Sequence, residues 1–305
     1  MIAGLVTAVF VLGVVALTAS TRAQSSFERF ALAILPLGGG LCGLLAAYLF
    51  RRTEPPDALF VNRTVLGALQ RPVETEQLPA SVIVASANVA AAAGVAPSPE
   101  TFDVQRLDAT RGYVLMADVG GKGLDAALDA AFVKHVVRAL VRQAAAPDAM
   151  LSMLNAAYAE AHPRTESFAS VFLGIVDARR ATLVYASAAH AEAWLRHGLE
   201  AVSLPATGPA IGLSTNAHYA ARSVAFAPAD TLVLSTDTLT SVVAPEGERL
   251  TGEIAAAWIA RAPADTIRGV VDDLVARAHR FAGGHARNDL MILALQNTST
   301  GPGSG

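Results

Sequence analysis

Hydrophobic and polar positions follow three regimes along this chain. Two spans come first, Met1 to Ala19 and Phe30 to Phe50, each uncharged throughout. Each matches the ~20 apolar residues that cross a bilayer as a helix. Residues 53–80 follow, where "TEPPD" and "QRPVETEQLP" interrupt the apolar pattern. Prolines and charges there predict a linker with one short helix near Val65 to Gln70. From Ser81 onward the period changes. "SVIVASA", "TFDVQRLD" and "GYVLMAD" predict strands, the last two joined by a turn near Thr110 to Gly112. Lys122 to Gln143 predicts a long alanine-rich helix with Leu128, Phe132, His135 and Leu140 near helical spacing. "PDAMLSMLNAAYAEA" opens with proline and aspartate, as a helix N-terminus does.

Strand signals return in "SFASVFLGIVD", "ATLVYASA", "AEAWLRHG", "YAARSVAF" and "DTLVLSTD". Helices are predicted near Glu253 to Ala260 and Ala264 to Phe281, and "DLMILALQ" closes as a strand. The tail "NTSTGPGSG" is small and polar, which predicts disorder. Strands and helices in segregated runs imply an α+β layered domain rather than a βαβ unit. The expected organisation is a transmembrane hairpin at 1–52, a linker at 53–80, the layered domain at 81–297 and a tail at 298–305.

Composition sharpens this picture. The 305 residues are 53% hydrophobic and 16% charged, with a mean hydropathy of +0.42. A net charge of -3 offers no basic footprint for nucleic acid. The one cysteine, Cys42, rules out a disulfide framework and a thiolate metal site. The first apolar span lacks the basic n-region of a secretory signal. Arg51 and Arg52 after the second favour a cytoplasmic side. The expectation is therefore a membrane location with the C-terminal domain cytoplasmic. Gly39 and Gly43 form a small-xxx-small pair, which either supports helix association or simply kinks a helix.

The chemistry centres on "MADVGGKGLDAAL", where Asp118 ends an apolar strand just before a turn almost free of side chains. A buried carboxylate needs a cation or hydrogen bonds. The stretch fits neither GxxxxGK[ST] nor GxGxxG, so it is neither a phosphate loop nor a Rossmann fingerprint. Asp237 in "TLVLSTD" repeats the layout. Two strand-end carboxylates fit either turn capping or an oxygen-only site for Mg²⁺ or Mn²⁺.

"ADVGGKGLDAAL" resembles the GDVSGKGxxAAL motif of the SpoIIE-like branch of PPM-type (type 2C) serine/threonine phosphatases. Further likenesses follow in order: "PDAMLSMLN", "YASAAHAEAW" for the strand ending in AGH, "TGPAIGL" for the G-x-PLGL turn, "LVLSTDTLTS" for LxLYTDGxxE, and "ARNDLMILAL" for the closing DDxTLLVL strand. The resemblance implies an α/β/β/α sandwich and a binuclear Mg²⁺ or Mn²⁺ centre. Asp118 would bridge the ions, with Asp237 as the second ligand and Val119, Gly120, Gly121, Lys122 and Gly123 forming the adjoining turn. It implies hydrolysis of phosphoserine or phosphothreonine by a metal-activated water, on a regulatory protein of the anti-sigma antagonist kind. A second copy of the chain is a further candidate partner.

Several positions depart from the family pattern. GGDxYD aligns with "SPETFDV", placing Glu100 at a metal-ligand position and Ser98 and Pro99 at the glycines. The glycine of TDG is Thr238, and the glutamate four positions after the aspartate is Ser241. The last metal aspartate aligns with Asn288, beside Asp289. AGH becomes Ala188-Ala189-His190, with the histidine read as structural. Two functions stay open: an active metal-dependent phosphatase, and an inactive phosphatase-like module that binds a partner. Lys122 is open between a phosphate or partner contact and a solvated helix start.

Overall fold

The computed structural model describes residues 78–89, 99–121, 123–143, 146–162, 167–190, 192–236, 238–284 and 290–299. Both apolar spans, the linker up to residue 77, the predicted helix near Val65 to Gln70 and most of the tail lie outside them.

Two antiparallel five-stranded sheets form the centre. The first has the order β1 (Val82–Val89), β10 (Leu290–Asn297), β9 (Thr231–Ser235), β6 (Ala193–His197), β7 (Glu200–Ser203). The second has the order β2 (Glu100–Arg106), β3 (Arg111–Val119), β4 (Ala169–Asp177), β5 (Thr182–Ala188), β8 (Arg222–Ala225). The period-2 alternation of each strand sends its side chains to two different cores. Val114, Met116, Phe172 and Tyr185 of the second sheet meet Leu232, Leu234, Leu293 and Leu295 of the first. Tyr113, Leu115, Ala117 and Leu173 point the other way, onto α1 (Leu124–Val141) and α2 (Pro147–Ala161). Val233, Ile292 and Ala294 pack against α4 (Gly252–Ala260) and α5 (Ile267–Phe281). The result is four layers, helix, sheet, sheet, helix: the layered α+β domain that the segregated runs imply, in the sandwich order that the family resemblance implies.

Local chemistry sets the helix ends. α1 starts two residues later than its pattern predicts, because Gly123 is its N-cap with φ at +84°. α5 starts at Ile267 because Thr266 caps it, its Oγ1 accepting the Gly269 N–H at 3.0 Å. Thr251 caps α4 in the same way, accepting from Ile254 at 3.3 Å.

Packing buries few of the α1 residues that mark its helical spacing. Leu128 and His135 are exposed, and Phe132 and Leu140 are half-buried. The buried face is Ala126, Ala127, Ala130, Ala131, Val133, Val137 and Val141, with Lys134 among them. Small side chains bring the helix close to the sheet, Phe132 and Leu140 pack at the edge of this core, and Leu128 is left exposed. Two elements have no sequence signal: β7, whose side chains are mostly exposed, and the four-residue α3 (Thr238–Ser241).

The expected membrane location is corrected. Among the described residues no helix is long and apolar enough to cross a membrane. The longest, α1, has 18 residues and carries Asp125, Asp129, Lys134 and Arg138, whereas a span needs ~20 predominantly apolar ones.

Candidate active site

Asp118 and Glu100 stand directly opposite each other in the β2–β3 ladder. The pairs Phe102↔Met116 and Val104↔Val114 continue that ladder, and all four of these side chains line the core between the sheets. By alternation both carboxylates occupy that same face, at the end of the sandwich. Glu100 is buried and Asp118 half-buried. Like charges directly opposite in a ladder repel each other, so this placement suits a shared cation. On the other side of Asp118 stands Ser170 of β4.

The turn after β3 explains its small residues. The Val119 N–H donates to Pro99 O at 3.3 Å, and the Gly120 N–H to Phe168 O at 2.8 Å. A Cβ on Gly120 would lie 2.8 Å from the Phe168 ring, and Gly121 has φ at +119°. The first position excludes a side chain by contact and the second by backbone conformation.

The first sheet presents its own rim at the same end. Only residues 189–192 separate β5 from β6, and Ala188 pairs with Val171 while Ala193 pairs with Leu234. The Ser187 hydroxyl at the end of β5 donates to His190 O at 2.8 Å, so this connector turns directly between the sheets and the two rims adjoin. At the first sheet's rim the Ser235 N–H donates to Glu192 O at 2.9 Å. The Thr236 N–H donates to Met291 O at 3.1 Å, and the Met291 N–H to Thr236 Oγ1 at 3.3 Å. Asp237, Asn288, Asp289, Lys122, Ser98 and the side chain of Thr238 lie outside the described residues. Thus Glu100 and Asp118 are brought together, and the described neighbours of Asp237 and Asn288 are hydrogen-bonded to one another. Among the described residues, no three His, Cys, Asp or Glu side chains form a metal-holding group.

Sequence reasoning missed Glu192, a buried acid at this rim that accepts a hydrogen bond from Thr240 Oγ1. Its only signal is a charge inside the apolar "AAHAEAW". The roles of two motif residues also emerge here. Asn155 on α2 accepts the Gly212 N–H at 2.9 Å and donates to Ser214 O at 2.9 Å. It ties the motif "PDAMLSMLN" to the turn "TGPAIGL".

His190 lies in the connector between the sheets, 2% exposed, its ring 6.2 Å from that of Phe172. Burial pushes its pKa down to about 4, opposed by hydrogen bonding of the ring to the backbone of Glu192 and Ser235. The ring is neutral at pH 7. The unfolded chain, with an ordinary histidine, takes up a proton near pH 6.5 that the folded chain refuses until about 4. The contribution is therefore complete above 6.5 and is lost as pH falls toward 4. Going from pH 7 to pH 5 is expected to cost about 2 kcal/mol from this group. Urea unfolding at both pH values checks it, and His190→Phe should flatten the difference.

A groove of about 690 Å³ lies between β1 and α5, and neither Glu100 nor Asp118 lines it. The site is identified by its carboxylates, not by concavity.

Solved structures share this architecture. The SiaA-PP2C domain of Pseudomonas aeruginosa is 22% identical, with a TM-score of 0.63, covering 78% of this chain and 94% of that one. The RsbU and RsbW domains from Mycobacterium tuberculosis are 23% identical, with a TM-score of 0.62, covering 74% of this chain. This chain spans only 62% of that protein. RsbX in complex with magnesium is 16% identical, with a TM-score of 0.50, covering 74% and 98%. A search of curated proteins returns no match. The two antiparallel sheets between helix layers are thus the fold of PP2C-type phosphatase domains. The chain belongs to the Stage II sporulation protein E (SpoIIE) family, whose pattern matches residues 108–298, more than half of its length.

Proposed function

We propose that this protein is a metal-dependent serine/threonine protein phosphatase acting on a small regulatory phosphoprotein of the anti-sigma antagonist kind. The observation that carries this reading is the in-register opposition of Glu100 and Asp118 beside the glycine turn. The donors are hard oxygens on adjacent strands, the kind that Mg²⁺ and Mn²⁺ take. Asp118, Glu100, Asp237 and Asn288 would hold the ions. When bound, such ions supply an activated water and a clamp on the phosphoryl group. The chain's own part is to fix the carboxylates on rigid strands and to leave the turn bare, so that a phosphoserine can approach the backbone.

A second reading rests on a specific feature: an amide, Asn288, stands where the family has a carboxylate. The domain would then bind a partner without hydrolysis. Hydrolysis of a phosphoserine peptide by the full chain, with Mn²⁺ and with chelator, separates the two. The phosphatase reading expects Mn²⁺-dependent turnover and a rise in melting temperature. The stabilisation is ~2.7 kcal/mol at one hundred times the dissociation constant. Absence of both effects overturns the phosphatase reading and favours the partner-binding one.

A further inference from the structure

A polar network outside the carboxylate pair ends on the turn that follows Asp118. Its centre is Asp129, one and a half turns into α1. Asp129 Oδ2 accepts from Ser167 Oγ at 2.9 Å and from Tyr158 Oη at 3.3 Å. Its Oδ1 lies 2.8 Å from His162 Nε2. Tyr158 Oη and Ser167 Oγ are themselves 2.6 Å apart. His162 Nδ1 lies 2.9 Å from Tyr158 O, and the two rings stack at 4.3 Å. Phe132 packs edge-on against both rings, at 6.0 and 6.1 Å. One carboxylate thus gathers α1, the C-terminal end of α2 and the start of the segment that enters β4.

That segment leads straight to the site. Ser167 precedes Phe168, and Phe168 O accepts the Gly120 N–H at 2.8 Å. This bond adds one rung beyond the last ladder pair, Val119↔Ala169. The Phe168 ring also covers Gly120. Nothing else among the described hydrogen bonds holds Gly120.

We infer that Asp129 is a positioning residue: through Ser167 and Phe168 it pins Gly120, and so sets the turn that presents Asp118. Its connection to metal binding rests on the function proposed above; the pinning does not. The test measures backbone amide exchange of the full chain, resolved at Gly120, for the parent, Asp129→Ala and Ser167→Ala. The milder Ser167→Ala removes one hydroxyl and serves where Asp129→Ala does not fold. Exchange at Gly120 is expected to rise about tenfold, the loss of one ordinary hydrogen bond. Exchange at Leu115 and Ala117, inside β3, is expected to stay at the parent rate. Unchanged exchange at Gly120 overturns the inference. So does an equal rise throughout β3, which would make Asp129 a general stabiliser. Mn²⁺ titration of the same proteins then separates the two ideas. Weaker binding in the variants than in the parent supports both. A rise confined to Gly120, in a protein that binds no Mn²⁺, leaves the pinning established and removes the metal-dependent reading.

Discussion

Asp118→Asn is expected to abolish Mn²⁺-dependent phosphatase activity while leaving the metal-free protein at least as stable as the parent. The two effects have opposite signs for one reason. Asp118 faces Glu100 across the ladder, so the term between these two carboxylates is repulsive until a cation lies between them. Relieving a like-charge pair directly opposite is worth up to ~1 kcal/mol. With a cation bound the same charge is attractive. At ~4 Å and an effective dielectric of ~20, each unit of cation charge contributes about 4 kcal/mol before desolvation, and one such unit alone is equivalent to about a thousandfold in metal affinity. Mn²⁺ titration followed by melting temperature, with turnover on one phosphopeptide, measures both. Asn288→Asp is the converse substitution and should tighten Mn²⁺ binding. If Asp118→Asn keeps the parent's Mn²⁺ response, the carboxylate pair is not a metal site.

Arg138→Met is expected to be among the most destabilising single changes in the domain. Asp103 is fully buried on the helix side of β2. Arg138 on α1 grips it with both ends of the guanidinium, Nε at 2.5 Å and Nη2 at 2.7 Å. Tyr113 donates its hydroxyl to the same carboxylate. Burial, then the Asp103 charge, pushes the Tyr113 pKa up, so the phenol stays protonated. Lys134 is buried beside them; burial lowers its pKa and Asp103 raises it. Removing the guanidinium strands the carboxylate, at a cost of about 3–5 kcal/mol. Against a total stability of ~5–15 kcal/mol this is a large fraction, and the urea midpoint should fall accordingly. Replacing Asp103, Lys134 and Arg138 together with apolar residues of similar volume should cost less than Arg138→Met alone. If the triple variant is the less stable, the network contributes net stability.

The elements were legible because their signals are local. β3 is apolar at nearly every position, since it is covered on both faces. α2 announces itself with Pro147 and Asp148 in its first turn. Asp118 stands out because it interrupts an apolar run just before glycines. Glu100 could be nominated only through its alignment with the family, because "SPETFDV" by itself is an ordinary strand start. Leu128 and Phe132 signalled the helix but not its buried face, because helical spacing says which residues share a face and not which face is buried.

What the sequence determined by itself is therefore the period of each segment, the class of fold, and the strand-end aspartate with its bare turn. All of these depend on neighbours within a few positions, where backbone geometry and local burial act. What only the tertiary structure decided is the pairing. Glu100 meets Asp118 because β2 and β3 lock in one register, and a slip of one residue would send Glu100 to the helix side. Asp103 meets Arg138 across 35 positions, and Asp129 meets Ser167 across 38. Contacts at such separations are fixed by how layers stack and which core excludes water, and no run of neighbouring residues encodes either.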